Sequence, residues 1–248
     1  MSLLKLPGVS AAVLVLVLLA VWQITFMAAG AMALASPAST FAYLAGHWPD
    51  LWVHIQATGA AFLFALGIAI LGGLLIGLLT GLSATAAETA EPLLLAANSI
   101  PKIALYPVVL LLFGIGLPAK VAFGAIHGVI PVAIFTMNAC RGVPPVLLKT
   151  AAILRLSPAD RIRSILLPSA LPMVLTGVRL GFSLTLIGTI LGEMFGSQSG
   201  LGYLLMTSIG LQNTDIIMAV TVLLIAFAAS VSTALLAWER RLRRERGE

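Results

Sequence analysis

The sequence is short of charge. Only 9% of its 248 residues are Asp, Glu, Lys or Arg, while 60% are hydrophobic; soluble domains carry about 25% charged residues. Water therefore cannot be the solvent for most of the surface. Cysteine is nearly missing too: the single Cys140 allows no intrachain disulfide and no cysteine-based metal cluster. No G-x-x-x-x-G-K-[ST] run is present to cradle nucleotide phosphates. No compact nucleophile and base arrangement marks an enzyme. The net charge of +5 would point to nucleic acid in a soluble protein. Here the basic residues sit beside hydrophobic runs, where they set topology, and nucleic acid is not needed to explain them.

What the chain does have is long apolar stretches, at 9–29, 58–82, 93–113, 119–138, 169–191 and 216–238. Each is near the ~20 residues that a helix needs to cross a bilayer. They are continuous rather than alternating, which argues for helices and against a barrel. The expected fold is all-α and polytopic, with about six transmembrane helices in one membrane domain over 1–248. Inspection finds no long linker, no second soluble domain and no inverted repeat. The first run competes with a signal peptide, because Lys5 precedes it and Ala33-Leu34-Ala35 resembles a cleavage site. Its length, beyond an h-region of about 7 to 15 residues, favours a retained span.

Orientation follows from Lys and Arg. A cytoplasmic N-terminus puts Lys5, then Arg141, Lys149, Arg155, Arg161 and Arg163, then Arg240, Arg241, Arg243, Arg244 and Arg246 inside, all but three of the 14 basic residues. The positive-inside rule then places both termini in the cytoplasm. Segments 30–57, 114–118 and 192–215 become the outer loops, with Lys120 beside the second. Trp48 and Trp52 suit the interface, where a ring is half apolar and half wet.

Between the fourth and fifth spans lies the segment 141–167, RGVPPVLLKTAAILRLSPADRIRSILL, which reads as two short cytoplasmic helices. Pro144-Pro145 can open the first, since the first helical turn needs no N–H partner. The second carries Ser157 as N-cap, Pro158 at the first helical position and Asp160 three after the cap, a relative of the capping box. Ala159, Ile162 and Leu166 share its apolar stripe, and Pro168 is expected to end it before the fifth span. A basic amphipathic helix of this kind could also lie on the bilayer surface.

These residues resemble the binding-protein-dependent transport permeases of ATP-binding-cassette importers, whose cytoplasmic EAA loop reads Glu-Ala-Ala, three residues, Gly, and later Ile-x-Leu-Pro. Ile165-Leu166-Leu167-Pro168 matches the end of that motif. At the family spacing Lys149 stands at the Glu, Thr150 and Ala151 at the two alanines and Arg155 at the Gly. A slip of one residue gives Thr150-Ala151-Ala152 and Leu156 instead. Either register lacks the acid and the glycine. Two further stretches, PKIALYPVVLLLFGIG at 101–116 and GEMFGSQSGLGYLL at 192–205, are similar to the subgroup importing nitrate, alkanesulfonates and taurine.

The resemblance implies a type I importer permease fold in a bacterial inner membrane. It implies a homodimer lining the pathway, two cytoplasmic ATP-binding subunits and a periplasmic or lipid-anchored solute-binding protein. ATP and Mg would sit on the partner ATPase, with no cofactor on this chain. It also implies that Lys149, Thr150, Ala151, Arg155, Leu156, Ser157, Pro158, Asp160, Ile165 and Pro168 belong to the ATPase-coupling element. Similar permeases serve pyrimidine precursors and other non-anionic solutes, and a secondary transporter would need no ATPase.

Polar residues within the spans are the remaining candidates. Ile100-Pro101-Lys102 followed by Tyr106-Pro107 predicts a kinked third span. Lys102 and Tyr106 then line an anion pathway, or Lys102 snorkels to the cytoplasmic interface. Arg179, deep in the fifth span, meets either an anionic solute or an acid such as Glu193 of a neighbouring subunit. Glu193 and Asp215 bracket the last outer loop. His47, Asp50 and His54 share a face if helical but read more simply as surface residues than as metal ligands, and His127 reads as a hydrogen-bonded packing residue. Glycines 67, 72, 73, 77 and 81 read as a helix-packing surface.

Overall fold

A computed structural model describes residues 7–244; Lys5 and Arg246 of the orientation argument lie outside the described residues, and Arg243 and Arg244 are described in backbone only. Eleven α-helices follow one another among the described residues. They are α1 (Pro7–Ala29), α2 (Pro37–Gly46), α3 (Trp48–Gly81), α4 (Ala84–Ser99), α5 (Tyr106–Phe113), α6 (Leu117–Arg141), α7 (Pro145–Ile153), α8 (Pro158–Arg161), α9 (Leu167–Gly196), α10 (Leu201–Gly210) and α11 (Thr214–Arg244). Five are long and apolar enough to cross a membrane, and six spans result if the bent pair α4–α5 counts as one.

Three expectations need correcting. The second span begins earlier than 58, because α3 starts at Trp48, with Pro49 in its first turn where the missing N–H leaves no bond unmade. The third span is broken rather than kinked. α4 ends at Ser99, Ile100 is held extended (φ −64°, ψ 132°) by the following Pro101, a 3₁₀ turn Lys102–Leu105 intervenes, and α5 leaves at 84° to α4. Lastly, Pro168 does not end the cytoplasmic helix. Ile162–Leu166 is a π-helical segment, with the Leu167 N–H bonded to Ile162 O, that joins α8 to α9. Proline at 168 cannot donate to the carbonyl of Ser164 and its ring would strike it; the wider π turn absorbs both problems without a break. Pro168→Ala restores the donor and is expected to turn the segment into regular α-helix, re-phasing α8 on α9. Spin-label distances between Ile153→Cys and Leu180→Cys would report it.

α6 is the centre of the molecule, packed along α3 on one side and α9 on the other. Small residues make both seams. On α3, Gly73, Gly77 and Gly81 face Val132, Thr136 and Cys140 of α6, while Gly124 and Gly128 of α6 face Thr189 and Thr185 of α9. In lipid no hydrophobic force drives two helices together, so close backbone approach and the dispersion it allows carry the association. Gly67, in the same helix as Gly77, has nothing within 4 Å of a Cβ built on it, so it is not part of the seam. Away from α6, Phe62 meets Phe182 edge to face at 5.2 Å and Phe227 at 5.9 Å, tying α3, α9 and α11 together. α1 stands apart, tied to the segment before α2 by Trp22 Nε1 donating to Ala35 O at 2.9 Å and to α2 by the Trp22 and Phe41 rings at 6.4 Å.

Loops join at two ends, as the span alternation requires. At one, the Gly116 N–H donates to Gly196 O at 3.2 Å and Thr214 Oγ1 to Ala31 O at 3.3 Å. At the other, Arg141 pairs with Glu91 at 2.8 Å.

Candidate functional site

The segment 141–167 lies at the same end as Glu91. Pro145 occupies the first turn of α7, and the end of that helix bears on the register. The Leu156 N–H donates to Ala151 O at 3.1 Å and the Arg155 N–H to Ala152 O at 3.1 Å. That pair of bonds is a Schellman motif with Arg155 at C′. Arg155 has φ +50°, the left-handed conformation in which a Cβ crowds the following carbonyl and costs about 1–2 kcal/mol. Glycine escapes that penalty. Of the two registers, the one that sets Arg155 at the motif's glycine and Lys149 at its glutamate is the one this backbone conformation favours, since Leu156 is not left-handed. Arg155→Gly is expected to raise local stability by about 1 kcal/mol, checked by hydrogen exchange at the Arg155 and Leu156 amides.

After the turn, Ser157 caps α8 as expected: the Asp160 N–H donates to Ser157 Oγ at 3.2 Å, and Ser157 Oγ donates to Asp160 Oδ2 at 2.6 Å. The acid thus reaches the cap hydroxyl rather than the cap amide of a full capping box. Ser157→Ala should cost about 1 kcal/mol at this end. Thr150 returns its hydroxyl to Val146 O at 2.9 Å, Ala151 is buried, and Ile165 lies half-buried in the π segment. The vertex is apolar and bare, with Ile153 80% and Leu154 64% exposed. Lys149, Arg155, Arg161 and Arg163 of the same segment are exposed as well. A cavity of about 440 Å³ opens behind the turn between Gly81, Cys140, Leu156 and Arg161.

The opposite end holds a buried polar cluster that sequence reasoning missed. Glu193 of α9 is fully buried and pairs with Lys120 of α6 at 3.2 Å. Lys120, beside the 114–118 turn in the first turn of α6, is only 3% exposed. Its Nζ also donates to Ser199 O at 3.2 Å and Ser197 Oγ at 3.4 Å. The other carboxylate oxygen accepts from Thr58 Oγ1 at 2.7 Å and from the Gly202 N–H at 3.0 Å, while Thr58 Oγ1 accepts the Leu201 N–H at 2.7 Å. The orphan amides that begin α10 are thus satisfied from α3 and α9, and the carboxylate sits where the helix dipole favours an anion. Gly200, at φ +112°, presses on the Glu193 carboxylate where a Cβ would overlap it. The GSQSGLG run has its physical reason there. His54 joins the cluster by accepting the Gly200 N–H at 3.1 Å.

The remaining candidates are separated. Lys102 lies in the break of the third span and donates to Asn98 O at 3.1 Å, capping the last turn of α4 as a lysine can. Tyr106 is buried, donates to Gly192 O at 2.7 Å and meets the Phe123 ring at 4.8 Å. Arg179 Nε lies 3.4 Å from Glu239 Oε2 of α11, without hydrogen-bond alignment, and Thr176 Oγ1 donates to the other Glu239 oxygen at 2.8 Å. The acid facing Arg179 is therefore Glu239 of the same chain, while Glu193 is engaged elsewhere. His47 stacks on Tyr43 at 4.1 Å, away from the Gly200 contact of His54, and no three His, Cys, Asp or Glu gather for a metal among the described residues. His127 donates from Nδ1–H to Phe123 O of its own turn at 2.8 Å.

A multi-pass helical membrane protein, interrupted between its fourth and fifth spans by a capped helix–turn–helix, is the class defined by this arrangement. The chain belongs to the family of binding-protein-dependent transport system inner membrane components, whose model matches residues 69–245. It is 33% identical over 172 residues to the aliphatic sulfonates transport permease protein SsuC of Bacillus subtilis, a match covering 68% of this chain and 62% of that protein. It is 29% identical to the taurine transport system permease protein TauC of Escherichia coli, covering 80% and 72%. The fold matches a chain of the inward-facing MetNI methionine ABC transporter at a TM-score of 0.67 and 21% identity, over 78% of this chain and 98% of the other.

Proposed function

We propose that this chain is the permease subunit of an ATP-driven importer that carries a small organic or inorganic anion, such as a sulfonate, taurine or nitrate, into the cytoplasm. The observation that carries the reading is the α7–turn–α8 element, whose left-handed Arg155 stands where the family's loop has glycine. In this reading both termini and the 141–167 segment face the cytoplasm, two copies of the chain form the pathway, and each is served by one ATPase binding ATP and Mg. A solute-binding protein delivers the anion to the outer face. Sulfonate and taurine enter through the names of the two relatives, and positive charge at Arg179 and Lys102 suits an anion. Arg179 is half-buried and keeps Glu239 within 3.4 Å, and in this reading an anionic solute competes with that acid for it, whereas Tyr106 and Glu193, both buried, act by holding the helices that line the path.

Proteoliposomes containing the permease, its ATPase and its binding protein should take up taurine, an alkanesulfonate or nitrate only with ATP inside. Arg179→Gln should lower uptake while leaving ATPase association unchanged. Uptake by the chain alone, driven by a proton or sodium gradient, would reverse the conclusion. For orientation, a single cysteine at Ser157 in a Cys140→Ala background should label only from the cytoplasmic side.

A further inference from the structure

The turn between α7 and α8 keeps an arginine at a position whose backbone geometry favours glycine. A basic residue needed only for net charge could sit one position away without that conformation. The neighbours extend the pattern. Ile153 and Leu154 form an exposed apolar vertex, and Lys149, Arg155, Arg161 and Arg163 are exposed in the same segment. None of these four makes an ion pair among the described residues. The one acid of the segment, Asp160, is held by the Ser157 hydroxyl, and Arg141 at its root already has Glu91. An apolar centre in a segment with these four exposed bases against one exposed acid, held in fixed orientation by the Schellman bonds, has the anatomy of a protein interface whose partner carries net opposite charge.

We propose that the α7–α8 turn docks on a cytoplasmic ATPase subunit through a carboxylate-lined cleft, with Ile153 and Leu154 on its apolar floor and Arg155 and Lys149 against Asp or Glu side chains. This rests on the importer reading above and adds the chemistry of the partner surface. An anionic bilayer also attracts basic residues, but its pull depends little on their position. A guanidinium fixed at a turn vertex gains from a carboxylate placed to receive its planar fork. A partner whose cleft suits the glutamate of the family's loop would place like charge, or none, against Lys149. The chain should thus discriminate against the ATPases of permeases that keep that acid.

The test measures binding of the co-purifying ATPase to the permease in neutral-lipid nanodiscs. Arg155→Gly, which relaxes the turn while removing the charge, should weaken binding at least about tenfold with no loss of thermal stability. Arg155→Glu should weaken it further and be rescued by an Asp or Glu to Lys change in the ATPase cleft. Wild-type binding should also fall with rising salt. Unchanged binding of Arg155→Gly overturns the inference. So does an effect of Arg155→Gly confined to partition onto phosphatidylglycerol vesicles, which would make lipid the occupant. A wild-type chain that binds no ATPase would instead overturn the importer reading itself.

Discussion

Lys120→Met should destabilise the folded chain by about 3–5 kcal/mol, because it leaves the Glu193 carboxylate buried without its counter-charge. Glu193 is fully buried, and its second oxygen already serves Thr58 and the Gly202 amide, so no other cation stands ready to replace the lysine among the described contacts. The expected outcome is a shift in thermal unfolding in detergent together with faster hydrogen exchange at Leu201 and Gly202, whose amides the cluster holds. The double change Lys120→Met with Glu193→Gln should recover much of the loss, since a neutral amide can still accept from Thr58 and carries no uncompensated charge. A double variant as unstable as the single one would show that the two residues are not energetically coupled.

Gly77→Leu should be at least as damaging, with an expected loss of about 3 kcal/mol or more. A Cβ at this position would lie 2.5 Å from Thr136 Cβ and 2.6 Å from Ala133 O. One of those neighbours is backbone, so no rotamer change relieves the clash and α3 must move off α6. Gly73 and Gly81 lie one turn away on either side with contacts as close, so the displacement spreads along the seam. Gly67→Leu is the control, since open space surrounds it; in lipid an added leucine there should be nearly neutral. The yield of monodisperse protein and its unfolding midpoint distinguish the two, and equal behaviour would remove the seam as the basis of helix association.

The two glycines also show what the sequence could and could not convey. Apolar run length marks a span because the bilayer fixes it, and so the six runs were readable, although the helices that carry them begin up to about ten residues earlier. Which glycines face a neighbour depends on the helix across the seam, and one chain's periodicity does not carry that information. The same limit hid the Lys120–Glu193 pair. Lys120 stands two residues beyond Pro118, next to a turn, and a lysine there reads as an outer residue until α9 is seen to bring a buried acid against it. Ser157 and Asp160 were legible because a cap and its partner are local. The Arg155 turn was half legible: spacing from Pro168 allowed two registers, and the residue that would have chosen between them, glycine, is replaced. Only the backbone of the turn favours one of them. The break in the third span was signalled by Pro101 and Pro107, yet its angle is set by the packing of Tyr106 on α6 and α9, far from those prolines in sequence.

The π segment at Ile162–Leu166 leaves α8 and α9 in one rod, which runs over 38 residues from Ala159 to Gly196. At 1.5 Å per residue that rod is about 57 Å long. A tilt of about 5° imposed at its Ser157 end would swing the Glu193 end by roughly 5 Å on that length. Such a displacement exceeds what the 2.7 Å bond from Thr58 can tolerate. Leverage of this kind would let a small push on the capped turn unfasten α10 at the far end, with the wider π turn and the interior Pro172 as the places where the rod can bend instead.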